Sequence, residues 1–559
     1  MPKFRSLSAC LFLAVASICL VIALPVVHGQ TLASTASFAG SVSDASGARV
    51  ANANVTLTSP EKGTTRDFKT DAEGNFSFSL LSAGTYTMTV QATGFKTFKQ
   101  EGITLEVGQS ASQSVALKIG TTTEIEVAGT APLLQTEDAN ISAEVSPKFV
   151  SDLPLNLRNV FNFVELNSSV NNLSQSQVLN GGGEQGSADQ DVSFFNFGGG
   201  FFGTTAFFLD GAWDTSQGWG GTIYVPSPDN TQEFKVQQNS FSSQYGWSTG
   251  NVITVVTKSG TNTLHGDAYE YMRNGDLDAN NFFSNLKGNA RPNEHRNQFG
   301  FTIGGPVYIP GAYKQRNKTF FFFGYEGHRE NDPADTSGTV PTTAMRTGDF
   351  SALLGAQIGT DALCRTILAG QIYDPFTTRQ VTATCATPQN TIGQTVYIRD
   401  PITGNNLVNS TNGINSIGQT LVNYYPQPTN SALTANWGAS DTVPDTSNEF
   451  SIRIDHNFTD NTQIYGRFSD KHESKGEAPN FFGANDPAGP GQNNPNNRWN
   501  LAVGASHVFN PTFTVSTNVG VMWWNEKNVM ASYGFKPSSL GFPTWIDPYS
   551  TQFPVINVG

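Results

Sequence analysis

Beyond residue 262 the chain is written in alternating positions. Phe450, Ile452, Ile454, His456 and Phe458 alternate with Ser451, Arg453, Asp455 and Asn457. After the turn Thr459-Asp460-Asn461 the pattern resumes over Gln463–Phe468. Trp499, Leu501, Val503, Ala505, His507 and Phe509 repeat it, and Phe513, Val515, Val519, Val521 and Trp523 return after Asn510-Pro511. A period of two places each set on its own face of a β-strand. Earlier strands obey the same parity at 262–274, 296–309 and 318–325, which makes seven, and an eighth is expected to start near Thr544. Short turns near Gly311, Asp460 and Pro511 alternate with long polar connections at 275–294, 328–448 and 471–497. Strict alternation of short and long connections, with aromatic residues near strand ends, predicts an antiparallel outer-membrane β-barrel wall. A soluble sandwich would not keep its long connections at one end.

The amino-terminal part reads as a different β unit. Residues 36–119 carry short alternating runs, such as Ala53-Asn54-Val55-Thr56-Leu57, Phe76-Ser77-Phe78-Ser79-Leu80 and Tyr86-Thr87-Met88-Thr89-Val90. Gly47, Asp71-Ala72-Glu73-Gly74-Asn75, Gly84 and Gly94 punctuate them. Short strands between Gly, Asp and Asn turns predict a β-sandwich of about seven strands. The segment 120–130 that follows holds Thr123-Glu124-Ile125-Glu126-Val127-Ala128-Gly129. Its composition favours an extended strand, and two readings stand side by side. It is either the last strand of the sandwich or an exposed strand able to add to another protein's sheet edge.

Residues 131–260 look mixed. Val150 through Val160 opens a helix-like stretch in which Val160, Phe163 and Val164 keep helical spacing. Strands return at Ala206–Gly211 and Val252–Gly260. A polar segment from Asn171 to Asp191 contains Gly181-Gly182-Gly183, and the Gly198–Gly200 run lacks a following Gly-Lys-Ser/Thr, so it is no phosphate loop.

Composition narrows the class. Charged residues are 14%, well below the ~25% usual for soluble domains, while Phe alone numbers 40 and Gly 55. A net charge of −13 excludes a cationic nucleic-acid binder. Past residue 30 nothing reaches the ~18 consecutive apolar residues of a membrane-spanning helix. Lys3 and Arg5 precede the apolar run Leu11–Leu24, and Val27-His28-Gly29 closes it, which predicts a cleaved signal peptide over 1–29. Leu7-Ser8-Ala9-Cys10 has the letters of a lipoprotein box but stands before the apolar run, the wrong side for lipidation. Cys10 and Cys19 leave with the signal. Cys364 and Cys385 remain, able to form one disulfide in an oxidising compartment or to persist as two thiols. The seven His stand apart in sequence, with His456 and His507 in strands, where a wall position is the simple reading. Acid pairs such as Asp441 and Asp445 fall in the expected long loop. No zinc-protease helix, nucleophile elbow or other catalytic arrangement is present, and no cofactor or metal site is expected.

Two resemblances sharpen these expectations. The run Gly40-Ser41-Val42-Ser43-Asp44 with Gly47, then Ala53-Asn54-Val55, Thr70-Asp71 through Phe76, and Leu81 through Tyr86 resembles the carboxypeptidase regulatory-like (transthyretin-like) domain, an Ig-like sandwich. That fold resembles carbohydrate-binding sandwiches, but a spacer or docking role is the expectation, since fold alone confers no ligand. Farther along, Leu153-Pro154-Leu155-Asn156 with Arg158-Asn159, Phe208-Leu209-Asp210-Gly211, and Gln244-Tyr245-Gly246 leading to Val255–Asn262 resemble TonB-dependent receptors of the Oar-like type. His265-Gly266, Leu277-Asp278-Ala279, Asn297-Gln298-Phe299-Gly300, Gly304-Gly305-Pro306, Asn317–Phe322 and Gly348-Asp349-Phe350 extend the likeness. The resemblance implies a mainly β chain: sandwich at 36–119, TonB-box-like linker at 120–130, mixed α/β plug at 131–260 and a partial outer-membrane barrel over 261–559. It implies that Glu124, Ile125, Glu126, Val127 and Ala128 resemble a TonB box, which departs from commoner boxes by having Ile-Glu-Val where Val or Thr runs are usual. The implied partners are a TonB-type energy-transducing protein of the inner membrane, outer-membrane lipid and an unidentified transported solute.

The function expected is energised uptake of a scarce solute across the outer membrane of a Gram-negative cell. The alternative is a surface interaction or adhesion protein that uses the barrel as anchor and its sandwich and loops to bind glycans or partners. Short turns are expected to face the periplasm and long loops the exterior. A lumen that holds a plug needs about 22 strands. At roughly 40 residues per strand with loops, the expected full receptor runs to about 1,100 residues.

Overall fold

In the computed structural model the alternation at the amino terminus becomes two facing sheets. Residues 35–555 are described, apart from 121–124, 129–140, 154, 156–157, 168–169, 173–194, 198–202, 217–219, 239–244, 246–250, 281, 283–284, 286–290, 292–293, 315–316, 477–491, 511–512 and 528. The expected signal peptide, Glu124 and both glycine runs lie outside the described residues.

The sandwich consists of β1 (Ala36–Asp44), β2 (Asn54–Ser59), β3 (Thr64–Lys69), β4 (Asn75–Leu81), β5 (Gly84–Gln91), β6 (Phe98–Leu105) and β7 (Ser110–Leu117). One sheet has the order β4-β1-β7; the other is β3-β2-β5-β6, extended at its edge by β8 (Ile125–Ala128). Every second residue of β2, β4 and β5 is buried, and Phe38, Val55, Leu57, Phe76, Met88, Val90, Ile103 and Leu105 form one core. Each such side chain contributes on the order of 1.5–3 kcal/mol by leaving water. The turn into β4 is set by Asp71, whose carboxylate accepts the Glu73 and Asn75 amides at 3.0 and 2.7 Å. Gly74 supplies the left-handed φ of +74° that the same turn needs.

The second unit contains β9 (Ile141–Val145), a helix at Pro147–Asp152, a 3-10 helix at Val160–Leu166, β10 (Val170–Asn172), β11 (Phe195–Phe197), β12 (Thr205–Leu209), β13 (Ala212–Trp213), β14 (Thr231–Gln238) and β15 (Asn251–Thr257). Five strands form one sheet in the order β13-β12-β15-β14-β9. The helical stretch expected from Val150 to Val164 is broken in two. Leu153 is extended, as a residue before proline tends to be, because the Pro154 ring crowds the helical conformation. The helix resumes at Val160, where the Asn159 side chain caps the Phe161 amide at 2.9 Å. Phe161 then packs edge-on against Phe207 and Phe234 of the sheet, with ring centres 5.4 and 5.8 Å away.

The wall begins with β16 (His265–Asn274), β17 (His295–Pro306) and β18 (Thr319–Gly338). A cap follows, holding the hairpins β19 (Gln357–Thr360) with β20 (Thr366–Leu368) and β21 (Tyr373–Thr382) with β22 (Thr395–Pro401). The wall then continues through β23 (Trp437–Thr459), β24 (Thr462–Gly476), β25 (Gln492–Asn510) and β26 (Phe513–Glu526), with the short β27 (Val529–Met530) beside β25. All seven long strands pair antiparallel in sequence order. The sheet is open, with β16 at one edge and β26 at the other.

Three expectations are corrected. The connection expected at 328–448 shrinks to 339–436, because Asn331–Gly338 pairs residue by residue with Trp437–Pro444. Asp441 and Asp445 therefore lie on β23, not in a loop. Likewise β24 runs to Gly476 and β25 starts at Gln492, inside the connection expected at 471–497. The sequence of these extensions has no apolar face to give an alternating pattern. The eighth strand expected near Thr544 is instead a 3-10 helix, Thr544–Ile546, in a segment carrying Pro537, Pro543, Pro548 and Pro554. Prolines lack the amide that a ladder requires. Phe553 of this segment packs on Tyr424 of the cap, ring centres 4.7 Å apart.

The faces of the wall are inverted relative to a soluble protein. Ile452, Ile454, Leu501, Val503, Val519 and Val521 stand on the outer face, with Ile454 47% and Val519 54% exposed. Their neighbours Ser451, Arg467, Ser469, Arg498 and Asn500 are buried on the inner face. Polar inside and apolar outside is what lipid demands of a barrel wall. At the short-turn rim the His456 and His507 rings stand edge-on to Phe458 and Phe509, centres 4.4 and 4.2 Å apart. Their Nδ1 atoms lie 2.7 Å from the hydroxyls of Thr319 and Thr462, as wall residues.

Candidate functional site between plug and wall

The second unit sits against the inner face of the wall, and charges hold it there. The strands β12 and β13 are joined by Asp210-Gly211, with Leu209 opposite Ala212. Both linking residues have positive φ, +49° and +78°, the two-residue turn that matches strand twist and that Asp-Gly favours. This turn carries the Asp210 carboxylate to the wall. It accepts the Thr257 amide at 2.9 Å and the Thr257 hydroxyl at 2.8 Å. It also meets Arg453 Nη1 at 2.9 Å and Arg467 Nε at 2.6 Å. The Asp210 carbonyl accepts the Tyr465 hydroxyl. Asp210 and Arg467 are each 1% exposed, so this pairing is made out of water. Arg453 is further held by Asp455 at 3.0 Å and lies over the Tyr465 ring.

A second cluster stands nearer the long-loop end. Arg158 reaches Glu326 of β18 at 3.2 Å, pairs with Asp229, and lies over the rings of Tyr269 and Tyr271. The Tyr269 hydroxyl donates to the same Glu326 oxygen at 2.9 Å. Glu449 of β23 accepts three donors on one oxygen: Tyr224 hydroxyl at 2.9 Å, Ser227 amide at 3.1 Å and Asn230 side chain at 3.2 Å. Arg498 of β25 donates to the Ile223 carbonyl at 3.0 Å and pairs with Glu473 at 3.1 Å. Asn230 comes so close to the wall that a Cβ on Gly324 would fall 1.7 Å from its Oδ1. A larger residue there would have to push the Asn230 side chain aside.

Wall arginines thus grip a plug carboxylate, and wall carboxylates grip plug donors. Breaking one partner of such a buried pair costs on the order of 3–5 kcal/mol. Water can replace these polar contacts when it is admitted, which it could not do for an apolar seam of equal size. Such a junction is firm when dry and releasable when wetted.

None of the residues singled out as site candidates lies in this junction. Ile125–Ala128 form β8, which runs parallel to Phe98–Glu101 at the free edge of the sandwich. Glu124 lies outside the described residues. Cys364 and Cys385 are bonded to each other in the cap, with Cα atoms 5.3 Å apart. Asp210 and Arg158 were visible only as letters of the family likeness. The usable signal was charge on the inward parity of wall strands, at Arg453, Arg467, Glu326 and Glu449. Among the described residues no group of three or more His, Cys, Asp or Glu is arranged to hold a metal ion.

Known proteins resemble parts of this chain. Residues 37–118 match the carboxypeptidase regulatory-like domain. The TonB-dependent transporter Oar of Myxococcus xanthus is 23% identical over 320 residues, 55% of this chain and 28% of that protein. The chain thus spans less than a third of the length of that relative. Among solved structures, the outer membrane transporter YddB from Escherichia coli is 10% identical with a TM-score of 0.38, covering 68% of this chain and 38% of that one. The ferric enterobactin receptor of Pseudomonas aeruginosa is also 10% identical, with a TM-score of 0.35, covering 69% and 41%. Residues 256–559, more than half of the sequence, match the outer membrane beta barrel domain. The chain belongs to that family of outer-membrane β-barrel proteins.

Proposed function

We propose that this chain works as a gated uptake receptor of the outer membrane, energised by a TonB-type protein of the inner membrane. The observation that carries this reading is the plug held in the wall by buried ion pairs, centred on Asp210 with Arg453 and Arg467. A passive pore has no use for a domain locked into its lumen. Short turns face the periplasm in this reading, and the cap and the other long connections face outward to meet the solute. The edge strand Ile125–Ala128 is where the energy-transducing partner adds its own strand, through backbone hydrogen bonds.

Deleting residues 124–128 tests the reading. Cells carrying the deletion are expected to bind solute at the surface but to accumulate none, in a screen across ferric chelates, vitamins, oligosaccharides and peptides. Accumulation equal to that of the parent strain sinks it. The adhesion reading draws on the cap, a disulfide-closed outward unit with Phe376 and Tyr397 exposed. It predicts binding that the deletion leaves intact and no accumulation in either strain.

A further inference from the structure

The sandwich does not hang free of the rest of the chain. Its β2–β3 turn reaches the short-turn rim of the wall: the Glu61 carbonyl accepts the Asn262 amide at 2.8 Å. Arg66 Nε donates to the Asp460 carbonyl at 3.0 Å, in the turn between β23 and β24. A second attachment lies on the plug sheet. Lys235 Nζ donates to the Gly108 carbonyl at 3.0 Å and pairs with Glu144 at 3.1 Å, and the Val107 amide donates to Glu233. Between these two attachments lies a cavity of ≈ 70 Å³. Its lining joins Lys62 and Ser82 of the sandwich to Asp210, Arg453, Asp455 and Tyr465 of the junction. The sandwich therefore closes the junction from the short-turn end.

We propose that the sandwich is a periplasmic lid over the Asp210–Arg453–Arg467 junction, and that a pull on β8 withdraws it as one body. The geometry supplies each step. β8 is hydrogen-bonded to β6, so force on residues 125–128 is applied directly to the sandwich sheet. The rim attachment includes two hydrogen bonds, one to Glu61 in the β2–β3 turn and one from Arg66 on β3, each worth only about 0.5–1.5 kcal/mol net, far less than the sandwich core. Lifting that turn widens the small cavity and the access of water to it. An ion pair at 2.6–2.9 Å that was strong at low dielectric weakens many-fold once water surrounds it. Removal of the lid thus loosens the plug without any contact between the partner and the plug itself.

The inference rests on the uptake reading, and a cysteine pair separates the two. Glu61→Cys with Asn262→Cys places two thiols across the rim contact, and Gly63→Cys with Asn317→Cys, whose Cβ atoms would stand 3.5 Å apart, is a second pair should the first fold poorly. The full receptor is oxidised in cells with and without a protonophore. The disulfide is expected to form in de-energised cells, to be largely lost in energised ones, and to become insensitive to the protonophore when 124–128 is deleted. In parallel, Val127→Cys reports cross-linking to the periplasmic domain of the energy-transducing protein. A strand that reaches this domain while the rim disulfide forms equally in both states overturns the lid alone. A strand that never reaches it overturns the lid and the uptake reading together.

Discussion

Glu326 and Glu449 stand directly opposite each other on β18 and β23, both buried, and each is satisfied by a different part of the plug. Two like charges across a strand pair repel. Arg158 answers one, and the Tyr224, Ser227 and Asn230 donors answer the other. The wall therefore depends on the plug as much as the plug depends on the wall. Tyr224→Phe removes one of three donors to Glu449 and leaves a buried carboxylate short of a partner. The expected loss is about 1–3 kcal/mol of plug seating. Urea-dependent proteolysis of the 141–257 region measures it, with cleavage at lower urea than in the parent. An unchanged midpoint means that Tyr224 contributes shape only.

Asp210→Asn keeps the turn and an acceptor for the Thr257 amide, but it removes the charge shared by Arg453 and Arg467, and its NH2 cannot accept the Thr257 hydroxyl. Two buried guanidinium groups then lose their common counter-ion, at a cost on the order of 3–5 kcal/mol. Arg453 keeps Asp455, so the larger part of the loss falls on Arg467. Thermal unfolding of Asp210→Asn, Arg467→Met and the double variant forms a cycle. The two single changes are expected to be strongly non-additive. Simple addition of the two losses overturns the assignment of a shared pair.

The outer face has its own test. Ile454 is 47% exposed and faces outward, while its neighbour Arg453 faces the plug. Ile454→Arg places a charge in lipid and is expected to cost about 2–4 kcal/mol if the site lies at mid-membrane depth. Ile454→Phe should be nearly neutral. The check is the refolding yield and urea midpoint in lipid vesicles. Equal tolerance of arginine and phenylalanine argues that this face does not meet lipid.

Legibility followed the physics of each region. Wall strands were readable where lipid lies on one side and plug on the other, because only there does every second residue have to be apolar. Above that level Asn331–Gly338 and Trp437–Pro444 pair through backbone groups, and their sequence carries no period to read. Apolar spacing alone runs a helix from Val150 to Val164, whereas a proline ends a helix at its predecessor, here Leu153. The junction was the least legible part. Asp210 meets Arg467 across 257 positions of sequence, and nothing local to either residue announces the other. Cys364 and Cys385 bond across only 21 positions of sequence, a pairing that the sequence leaves open against two free thiols.

The attachment of sandwich to plug is expected to be pH-dependent. A hydrogen bond shared with Glu144, together with burial, pushes Glu106 up to about 8, and burial pushes Glu233 up to about 8 as well. Lys235 opposes both shifts, and the Val107 amide opposes that of Glu233. With ordinary values near 4.5, both acids hold a proton in the docked state that they would lose when exposed to water. Raised acids stabilise the state that protonates them, so the contribution is fully present below about pH 4.5 and declines as pH rises toward 8, beyond which it is gone. The Val107 amide reports directly on the contact, because it donates to Glu233 across the seam. Its hydrogen-exchange protection, corrected for the intrinsic rate, is expected to fall steadily between pH 5 and 8. Glu233→Gln carries no ionisable group there and should flatten most of that slope, leaving the Glu106–Glu144 part. Protection that holds level to pH 8 in the parent means that neither acid is protonated in the docked state, and that Lys235 alone balances the cluster.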